Sequence, residues 1–413
     1  MTVLRATCCI AGGGPAGMML GFLLVRAGVD VVVLEKHADF LRDFRGDTVH
    51  PSTLELMYEL GLLDEFLRRP HRKVSRLSLN ISGETIDFAD FSDVPVHCKF
   101  VALMPQWDFL DFLADHGRTY AGFDLRMKAE VTDIVVEEGR VVGVQAQTPD
   151  GPLDVRADLV IGADGRGSVV RDKAGLPVQD FGAPMDVLWF ALSRREGDPE
   201  GLQGRLDSGR LVAMIDRGDY WQCGYVIAKG AADRVRENGL SAFQADLARL
   251  VPFIADRVAE IRSWDQVKLL TVRVDRLRRW YRPGLLCIGD AAHAMSPAGG
   301  VGINLAVQDA VATANLLAEP LRHHRVSERD LARVQNRRQF PTRVTQRLQV
   351  IMQERVISRV LDDTGGLSVP WILRLFQRCP RLRRLPARLV GIGVRPEHVR
   401  TPAVPRRIPP PTA

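Results

Sequence analysis

The chain has 413 residues, of which 46% are hydrophobic and 26% charged, and its formal net charge at pH 7 is +6. This composition excludes a fibrous or wholly disordered protein and allows a large core in about two domains. The positive charge comes from arginines towards the C-terminus with no nucleic-acid-binding motif around them, so we expect no nucleic-acid partner. The six cysteines show no paired or metal-ligand spacing, and there is no signal-type segment. We therefore expect a cytoplasmic protein with reduced thiols and no bound metal.

The first motif is a glycine-rich turn between a predicted strand and a predicted helix. An apolar run at residues 7–11 is followed by GGGPAG at 12–17 and by an apolar helical stretch. Gly12 permits a tight turn, Gly14 lets the backbone approach a pyrophosphate, and Gly17 lets the helix pack closely on the strand. The amides at the start of the helix would face the anion. The candidate nucleotide contacts are Gly12, Gly14, Pro15, Ala16 and Gly17.

A carboxylate follows the second predicted strand. Residues 31–34 are apolar and end in Glu35, which is placed to accept hydrogen bonds from both ribose hydroxyls of an adenosine. Its neighbour Lys36 is a further candidate contact. Turn, helix and carboxylate together predict a dinucleotide site, but they do not distinguish NAD from FAD.

A third apolar strand closes on an Asp-Gly turn in LVIGADGRGSVVRDKAG, residues 159–175. Asp164 and Gly165 are typical turn formers, so on their own they indicate only a turn.

Short alternating strands predict a second unit. They occur in residues 74–100 and 178–272, with a hairpin turn at Gly218 and Asp219. We expect a mainly antiparallel sheet that packs against the nucleotide-binding unit and leaves a crevice between the two. Large aromatic residues are buried in most sheets whatever the function, so the wall of this crevice is the weaker assignment. The candidate wall residues are Trp189, Met214, Trp221 and Tyr225.

A second glycine-rich segment, GDAAHAMSPAGGVGINLAVQDA, occupies residues 289–310. Asp290 can accept hydrogen bonds from polyol hydroxyls, and the glycines allow a backbone turn to lie against a flat ring. We expect a helix from about Gly302 to Ala314, whose N-terminus favours the negative charge of a reduced flavin. The alternative is a glycine-rich loop with a solvated aspartate. The candidate contacts are Asp290, Pro297, Gly299, Gly300, Gly302, Ile303 and Asn304.

In combination, GGGPAG with Glu35, DGRGSVVR and GDAAHAMSPAGGVGIN resemble the class A flavoprotein monooxygenases, the para-hydroxybenzoate hydroxylase family, over about residues 3–320. The resemblance implies an α/β fold: a Rossmann-like FAD-binding domain, an inserted mainly antiparallel β-sheet substrate domain and C-terminal helices. It implies that the Asp-Gly segment serves both FAD and pyridine nucleotide, that Asp290 contacts the ribitol, and that the Pro-Gly-Gly stretch lies beside the isoalloxazine. The positions matched to the Asp-Gly segment are Asp164, Gly165, Ser168 and Arg171.

The same resemblance adds Arg45, as an arginine near the flavin, and Gln106, as a glutamine that reaches the cofactor. His50 lies in the same loop as Arg45 and is a candidate to face the flavin or the substrate, although a lone histidine more often has a structural role. No catalytic side chain can be named.

The chemistry implied by the resemblance is hydroxylation of an aromatic or polyketide-like small molecule. It uses non-covalent FAD, NADPH or NADH as a transient co-substrate, and O2, through a C4a-hydroperoxyflavin. Three alternatives stay open: a flavin-dependent reductase or dehydrogenase such as a prenyl reductase, a halogenase, and a non-enzymatic flavin-binding module. The tryptophan-rich WxWxIP segment of the halogenases is absent from the sequence.

The expected domain limits follow from these segments. FAD-binding parts comprise residues 1–73, 101–177 and 273–365, and substrate-domain parts comprise 74–100 and 178–272. Residues 366–413 form a basic helical segment and a disordered tail, which we expect to act as a helical cap or a subunit contact in a monomer or homodimer. Attachment to an anionic membrane is the alternative, weakened by prolines that break any long helix.

Overall fold

The computed structural model describes residues 2–41, 48–81, 83–207, 209–357 and 371–407. Its N-terminal part is a strand, a helix and a second strand, as predicted. Strand β1 runs parallel to β2 on one side and to β11 on the other. All five residues of β2 are buried, as is typical of a parallel strand covered on both faces. Arg45 and the predicted tail after residue 407 lie outside the described residues.

The first sheet has eight strands. Its main order is β19-β20-β11-β1-β2-β8, and β10 and β9 extend it from β11 as antiparallel neighbours. The strands are β1 (Thr2–Ala11), β2 (Val31–Glu35), β8 (Phe123–Met127), β9 (Glu130–Glu137), β10 (Arg140–Thr148), β11 (Gly151–Gly162), β19 (Tyr281–Arg282) and β20 (Leu285–Cys287).

Helices cover this sheet and form the largest core with it. The helix after the second glycine-rich segment runs from Val301 to Arg322, beyond the predicted end at Ala314. The helical stretch Ala298–Arg322 is the one among the described residues that is long and apolar enough to cross a membrane, but 72% of its apolar window is buried, as in a core helix. The helices are α1 (Pro15–Arg26), α4 (Gln106–Arg118), α5 (Val169–Lys173), α8 (Val301–Arg322) and α9 (Glu328–Met352).

The second sheet has seven strands in the order β17-β13-β16-β15-β14-β5-β6. Every neighbouring pair is antiparallel except β14 and β5. The predicted hairpin is present: Arg217 N donates to Tyr220 O at 3.0 Å around Gly218, whose φ is 96°. The strands are β5 (Arg76–Ile81), β6 (Glu84–Asp90), β13 (Met185–Ser193), β14 (Leu202–Asp207), β15 (Arg210–Asp216), β16 (Tyr220–Ala228) and β17 (Lys268–Leu270).

Smaller elements connect the two sheets. Two further helices, α6 and α7, pack on one face of the second sheet and leave its other face to the space between the sheets. The remaining elements are β3 (Thr48–Val49), α2 (Pro51–Glu59), α3 (Leu63–Phe66), β4 (Arg72–Val74), β7 (Val101–Leu103), β12 (Val178–Asp180), α6 (Ala232–Glu237), α7 (Leu240–Leu250) and β18 (Asp275–Leu277).

The chain ends with two short helices that pack on β6, Trp371–Arg378 and Arg384–Gly391. Arg383 lies between them and binds Asp87 of β6 at 3.3 Å. Gly391 lies so close to Phe91 that a Cβ there would be 2.8 Å from the ring, so the C-terminal helix, Arg384–Gly391, packs tightly at this point. These two helices therefore cover the edge strand of the second sheet.

Candidate active site

A cleft of about 710 Å³ lies between the two sheets. One end is lined by the glycine-rich turn, the Asp-Gly turn and the second glycine-rich segment. The other end is lined by one face of the seven-stranded sheet. The three motifs that are far apart in the sequence therefore meet in one place.

The first turn requires glycine at two positions because the backbone is crowded. Gly12 has a φ of 104°, and a Cβ there would be 2.4 Å from Ala163 O. A Cβ on Gly17 would be 1.9 Å from Gly12 O, so the helix lies directly on the turn. Gly14 differs: a Cβ there would meet no protein atom within 4 Å, and the residue lines the cleft at the start of α1. Pro15 and Ala16 line the cleft beside it. This open space beside helix N-terminal amides fits a pyrophosphate.

Glu35 lies at the cleft edge, at the end of β2. Its Oε2 accepts from Gly13 N at 2.9 Å and its Oε1 from His37 N at 3.0 Å. These two amides fix the carboxylate next to the turn, and Lys36 lines the cleft beside it. The arrangement fits a ribose contact at the adenosine end of a dinucleotide.

The Asp-Gly turn is shaped by its own aspartate. Asp164 accepts from Ser168 Oγ at 2.5 Å and from Val170 N at 3.1 Å. Burial raises the pKa of Asp164 above its ordinary value, although these hydrogen bonds act to lower it. Asp164 and Gly165 both line the cleft, and Gly165 has a φ of 85°.

Two arginines join the Asp-Gly turn to the second glycine-rich segment. Arg171 is buried and donates to Arg166 O at 2.9 Å and to Ala291 O at 3.5 Å. Arg166 Nε donates to Asp290 Oδ2 at 3.0 Å, and both side chains face the cleft. Ser168 is fully buried and caps α5 by accepting from Arg171 N. Contrary to the prediction for Ser168 and Arg171, these two residues lie behind the cleft wall and hold it in shape.

The loop before α8 is built from glycines with positive φ. The φ angles of Gly299 and Gly300 are 79° and 62°, and a Cβ on Gly300 would be 2.1 Å from Thr48 Oγ1. This loop, residues 296–300, is called the flavin loop below. The predicted ring contacts that line the cleft here are Pro297, Gly299, Gly300, Gly302 and Ile303.

The side chain of Asn304 makes its hydrogen bonds within the protein, contrary to its assignment as a cofactor contact. Its Oδ1 accepts from His50 N at 2.9 Å and from Thr53 Oγ1 at 2.7 Å, and its Nδ2 donates to Thr48 O at 3.1 Å. It is buried and holds the start of α2 against the start of α8. Its role is therefore to position these two elements.

Buried charges lie beneath the second glycine-rich segment. Asp309 is fully buried and accepts from Gly289 N at 3.1 Å, from Arg338 Nε at 2.8 Å, and lies 2.5 Å from His293 Nε2. Burial acts to raise the pKa of Asp309, but His293 and Arg338 together hold it below its ordinary value. Arg338 also contacts Glu397 at 3.4 Å, so the C-terminal residues take part in this network.

Two glutamines on α9 also hold the second glycine-rich segment in place. Gln346 Nε2 donates to Asp275 O at 2.7 Å and to Ala294 O at 2.9 Å. Gln349 Nε2 donates to Ser296 O and Ala298 O, both at 3.1 Å. No chemistry was predicted for residues 327–364. The buried polar residues of α9 lie at spacings of three and four, the period of one helix face, but most of the helix is polar, so the sequence alone does not single them out. They are Gln335, Arg338, Thr342, Gln346 and Gln349.

Only part of the predicted aromatic wall faces the cleft. Trp189 lines it, but Met214, Trp221 and Tyr225 lie in the core beneath α7, so their assignment is wrong. Trp189 pairs with Gly224, and successive residues of a strand point to opposite faces, so Trp221 and Tyr225 point away from it. Met214 pairs with Cys223 and shares their face. Because β16 is buried on both faces, its sequence shows no alternation that would reveal the correct one.

The cleft changes character along its length. Among the described residues that line it, the charged side chains all belong to the nucleotide end, and the sheet end has none. A neutral apolar surface of this kind can hold an aromatic ring system but offers no counter-charge to an ion. The sheet end is represented by Leu77, Val187, Trp189, Leu211, Ile215 and Val226.

Gln106 and His50 both line the cleft. Gln106 is the first residue of α4. His50 is buried, and burial lowers its pKa to about 4, so the imidazole is neutral at pH 7. Its Nδ1 lies 2.8 Å from Val390 O. Since a carbonyl only accepts, Nδ1 carries the hydrogen and Nε2 keeps a lone pair.

Comparisons with known proteins agree with this geometry. Residues 5–348 match a family model described as FAD binding domain. The chain is 34% identical over 386 residues to 6-methylpretetramide 4-monooxygenase of Streptomyces rimosus. This match covers 92% of this chain and 91% of that enzyme. The chain spans 59–63% of the length of several other curated relatives.

Solved structures share the fold. The p-nitrophenol 4-monooxygenase PnpA of Pseudomonas putida DLL-E4 has a TM-score of 0.75 at 20% identity and covers 94% of this chain and 97% of its own. The myxobacterial chondrochloren halogenase CndH has a TM-score of 0.74 at 20% identity, with 94% and 90% covered. At this identity the likeness shows the fold alone, so it does not separate hydroxylases from halogenases.

Proposed function

The chain belongs to the FAD-binding family of class A flavoprotein monooxygenases, and on this premise we propose that it uses NADPH or NADH and O2 to hydroxylate an uncharged polycyclic aromatic substrate of the polyketide type. The supporting observation is the cleft itself, in which nucleotide-binding motifs at one end continue into an uncharged apolar surface at the other. The relative with 34% identity is named for the substrate 6-methylpretetramide, which supports an aromatic or polyketide-like substrate.

The residue roles that we propose follow the order of the cleft. Gly14 and the start of α1 hold the pyrophosphate, Glu35 and Lys36 the adenosine ribose, and Asp290 the ribitol hydroxyls. The flavin loop would lie against the ring, and the N-terminus of α8 would favour the reduced, negatively charged form. Arg45 remains a proposed flavin contact from the resemblance alone. Bound FAD supplies the redox chemistry, by accepting hydride from the nicotinamide and activating O2.

The chain's contribution to the reaction is binding, orientation and exclusion of water. Trp189 and the aliphatic face of β13 and β15 provide a low-dielectric wall that keeps water from the reacting atoms. Gln349 fixes the flavin loop from behind, and Gln346 holds the backbone of nearby Ala294. Neutral His50 places an accepting nitrogen in the cleft, suited to a substrate hydroxyl.

We also propose that residues 1–73, 101–177 and 273–365 constitute the FAD-binding domain, with 74–100 and 178–272 as the substrate domain. This division is supported by the sheets, because β5 and β6 pair into the same sheet as β13 to β17. Residues 371–391 pack on that second sheet as a cap.

The charge of a substrate should decide how well it is turned over when two candidates share the same ring system. The described residues offer no charge partner to an ionised carboxylate at the sheet end, and burying it unpaired costs several kcal/mol. We therefore expect 1-naphthol to stimulate NAD(P)H oxidation and O2 uptake with a kcat/KM roughly 100-fold or more above that of 1-hydroxy-2-naphthoate, since each 1.4 kcal/mol is a factor of about ten. An oxygen electrode with product analysis measures both. Equal or better turnover of the carboxylate would contradict an uncharged substrate site.

A further inference from the structure

The C-terminal helix, Arg384–Gly391, reaches the sheet end of the cleft, where we place the substrate and which is called the substrate end below. Leu389 and Val390 line the cleft, as do Leu348 and Met352 of α9, and Val390 packs on the hydrophobic cluster that Trp189 also contacts. Leu389, Leu348 and Met352 are 39%, 39% and 38% exposed, which are high values for large apolar side chains. Because these three side chains line the cleft and are also exposed, we place them at its opening, which is called the rim below.

The helix is fixed in this position by specific contacts. The Nδ1 hydrogen of His50 bonds to Val390 O at 2.8 Å, which ties the helix to the floor of the cleft. Ala387 is fully buried, and Gly391 packs directly on Phe91. The wall is therefore part of the folded structure and its backbone cannot shift without breaking these contacts.

A second set of contacts anchors the residues that follow the helix. Glu397 is buried and forms a two-point ion pair with Arg337 at 2.6 and 3.1 Å. Through Arg338 it joins Asp309, which binds the backbone of Gly289. The C-terminal segment is thus connected to the cofactor end of the cleft as well as to the substrate end.

The position of the segment in the chain separates it from the cofactor-binding part. The match to the FAD-binding family model ends at residue 348, so the helix lies beyond the part of the chain that this model describes. A wall that is added to a shared cofactor site is the part that can vary with the substrate.

We propose that Leu389, held in place by the contact between His50 and Val390, forms the outer wall of the substrate end and limits the width of the ring system that the cleft admits. This inference rests on the proposed function for the identity of the ligand, but it concerns binding and can be tested without turnover.

The test compares two leucines of the same helix. Leu389→Trp fills the rim, while Leu385→Trp places the same side chain at a position that is 66% exposed and does not line the cleft. Binding of two neutral phenols to the FAD-loaded protein is measured by calorimetry: 1-hydroxypyrene, with four fused rings, and p-cresol, with one. FAD content and melting temperature show that each variant is folded.

Leu389→Trp should weaken the binding of 1-hydroxypyrene by roughly tenfold or more, because a misfit of even one methylene group in an apolar pocket changes affinity by about this factor. The same substitution should change the binding of p-cresol little. Leu389→Ala should tolerate the wide ligand, and Leu385→Trp should behave as the parent protein. The inference is overturned if both tryptophan variants bind 1-hydroxypyrene equally, if Leu389→Trp weakens both phenols alike, or if the parent protein does not bind 1-hydroxypyrene. If the wall is confirmed but neither phenol is hydroxylated, it is the proposed reaction that fails.

Discussion

Asp309→Asn should lower the free energy of unfolding by about 3–5 kcal/mol, the range for breaking a buried ion pair by removing one partner. The substitution keeps the volume of the side chain but removes the nearer of the two carboxylates that pair with the Arg338 guanidinium, which is 1% exposed, and leaves Glu397 at 3.4 Å. It also weakens the acceptor for Gly289 N, so the second glycine-rich segment should lose its support and FAD should dissociate more readily. Denaturant unfolding of the FAD-free protein and FAD titration measure the two effects separately.

The matched control is Glu319→Gln on the same helix. Glu319 pairs with Arg325, and both side chains are largely exposed, so the loss should be at most about 1 kcal/mol. Similar unfolding free energies for the two variants would mean that the buried network contributes no more than a surface pair.

Gly14→Val should abolish tight FAD binding and leave the apoprotein folded. The protein places no atom within 4 Å of a Cβ at this position, and the backbone conformation, with φ of −75° and ψ of −175°, is open to any residue. The added side chain would fill the space that we assign to the pyrophosphate. Losing two amide hydrogen bonds to a charged group costs about 3–6 kcal/mol, so affinity should fall by roughly 100-fold or more.

The comparison that separates cofactor binding from folding is Gly17→Ala. Its Cβ would be 1.9 Å from Gly12 O, so this variant should lower the melting temperature of the apoprotein as well. Gly14→Ala should give a smaller loss of FAD affinity than Gly14→Val. If Gly14→Val binds FAD as tightly as the parent protein does, the assignment of the pyrophosphate to this turn is wrong.

The features that could be predicted from sequence are those set by local backbone geometry. A strand, a turn with glycines at fixed offsets and a helix can be recognised from neighbouring residues, and so can the carboxylate at the end of β2. The same holds for the Asp-Gly turn and the hairpin at Gly218. Their meeting in one cleft was implied by the family resemblance, since no local signal joins residues 12–17 to residues 289–310.

The substrate wall could not be predicted in the same way. Choosing Gly224 and Val226 as cleft residues, instead of Trp221 and Tyr225, requires knowing which face of β16 meets α7. Both faces are buried, so the sequence does not show it. A small residue such as Gly224 is what leaves room for Trp189, whose ring would lie 3.1 Å from a Cβ there. Aromatic side chains were thus a poor guide to the cleft, because the core of a sheet uses them equally.

Long-range polar contacts were also beyond the sequence. Gln346 and Gln349 lie in a helix whose sequence is mostly polar and charged, yet the Gln349 amide supports the flavin loop and the Gln346 amide supports the backbone of Ala294. The C-terminal helix reads as a basic surface helix, and only its packing on β6 brings Leu389 to the cleft. In both cases the decisive fact is which helix face is turned inward.

The most direct test of the central claim is turnover under labelled oxygen. The FAD-loaded protein is supplied with NADPH or NADH, 18O2 and a neutral polycyclic phenol, and the product is analysed by mass spectrometry. A monooxygenase should give a hydroxylated product that carries one 18O atom, with one nicotinamide oxidised for each product formed. A product without the label, formed by reduction or dehydrogenation of the substrate, would contradict it and would identify the chain as a reductase or dehydrogenase of the same fold.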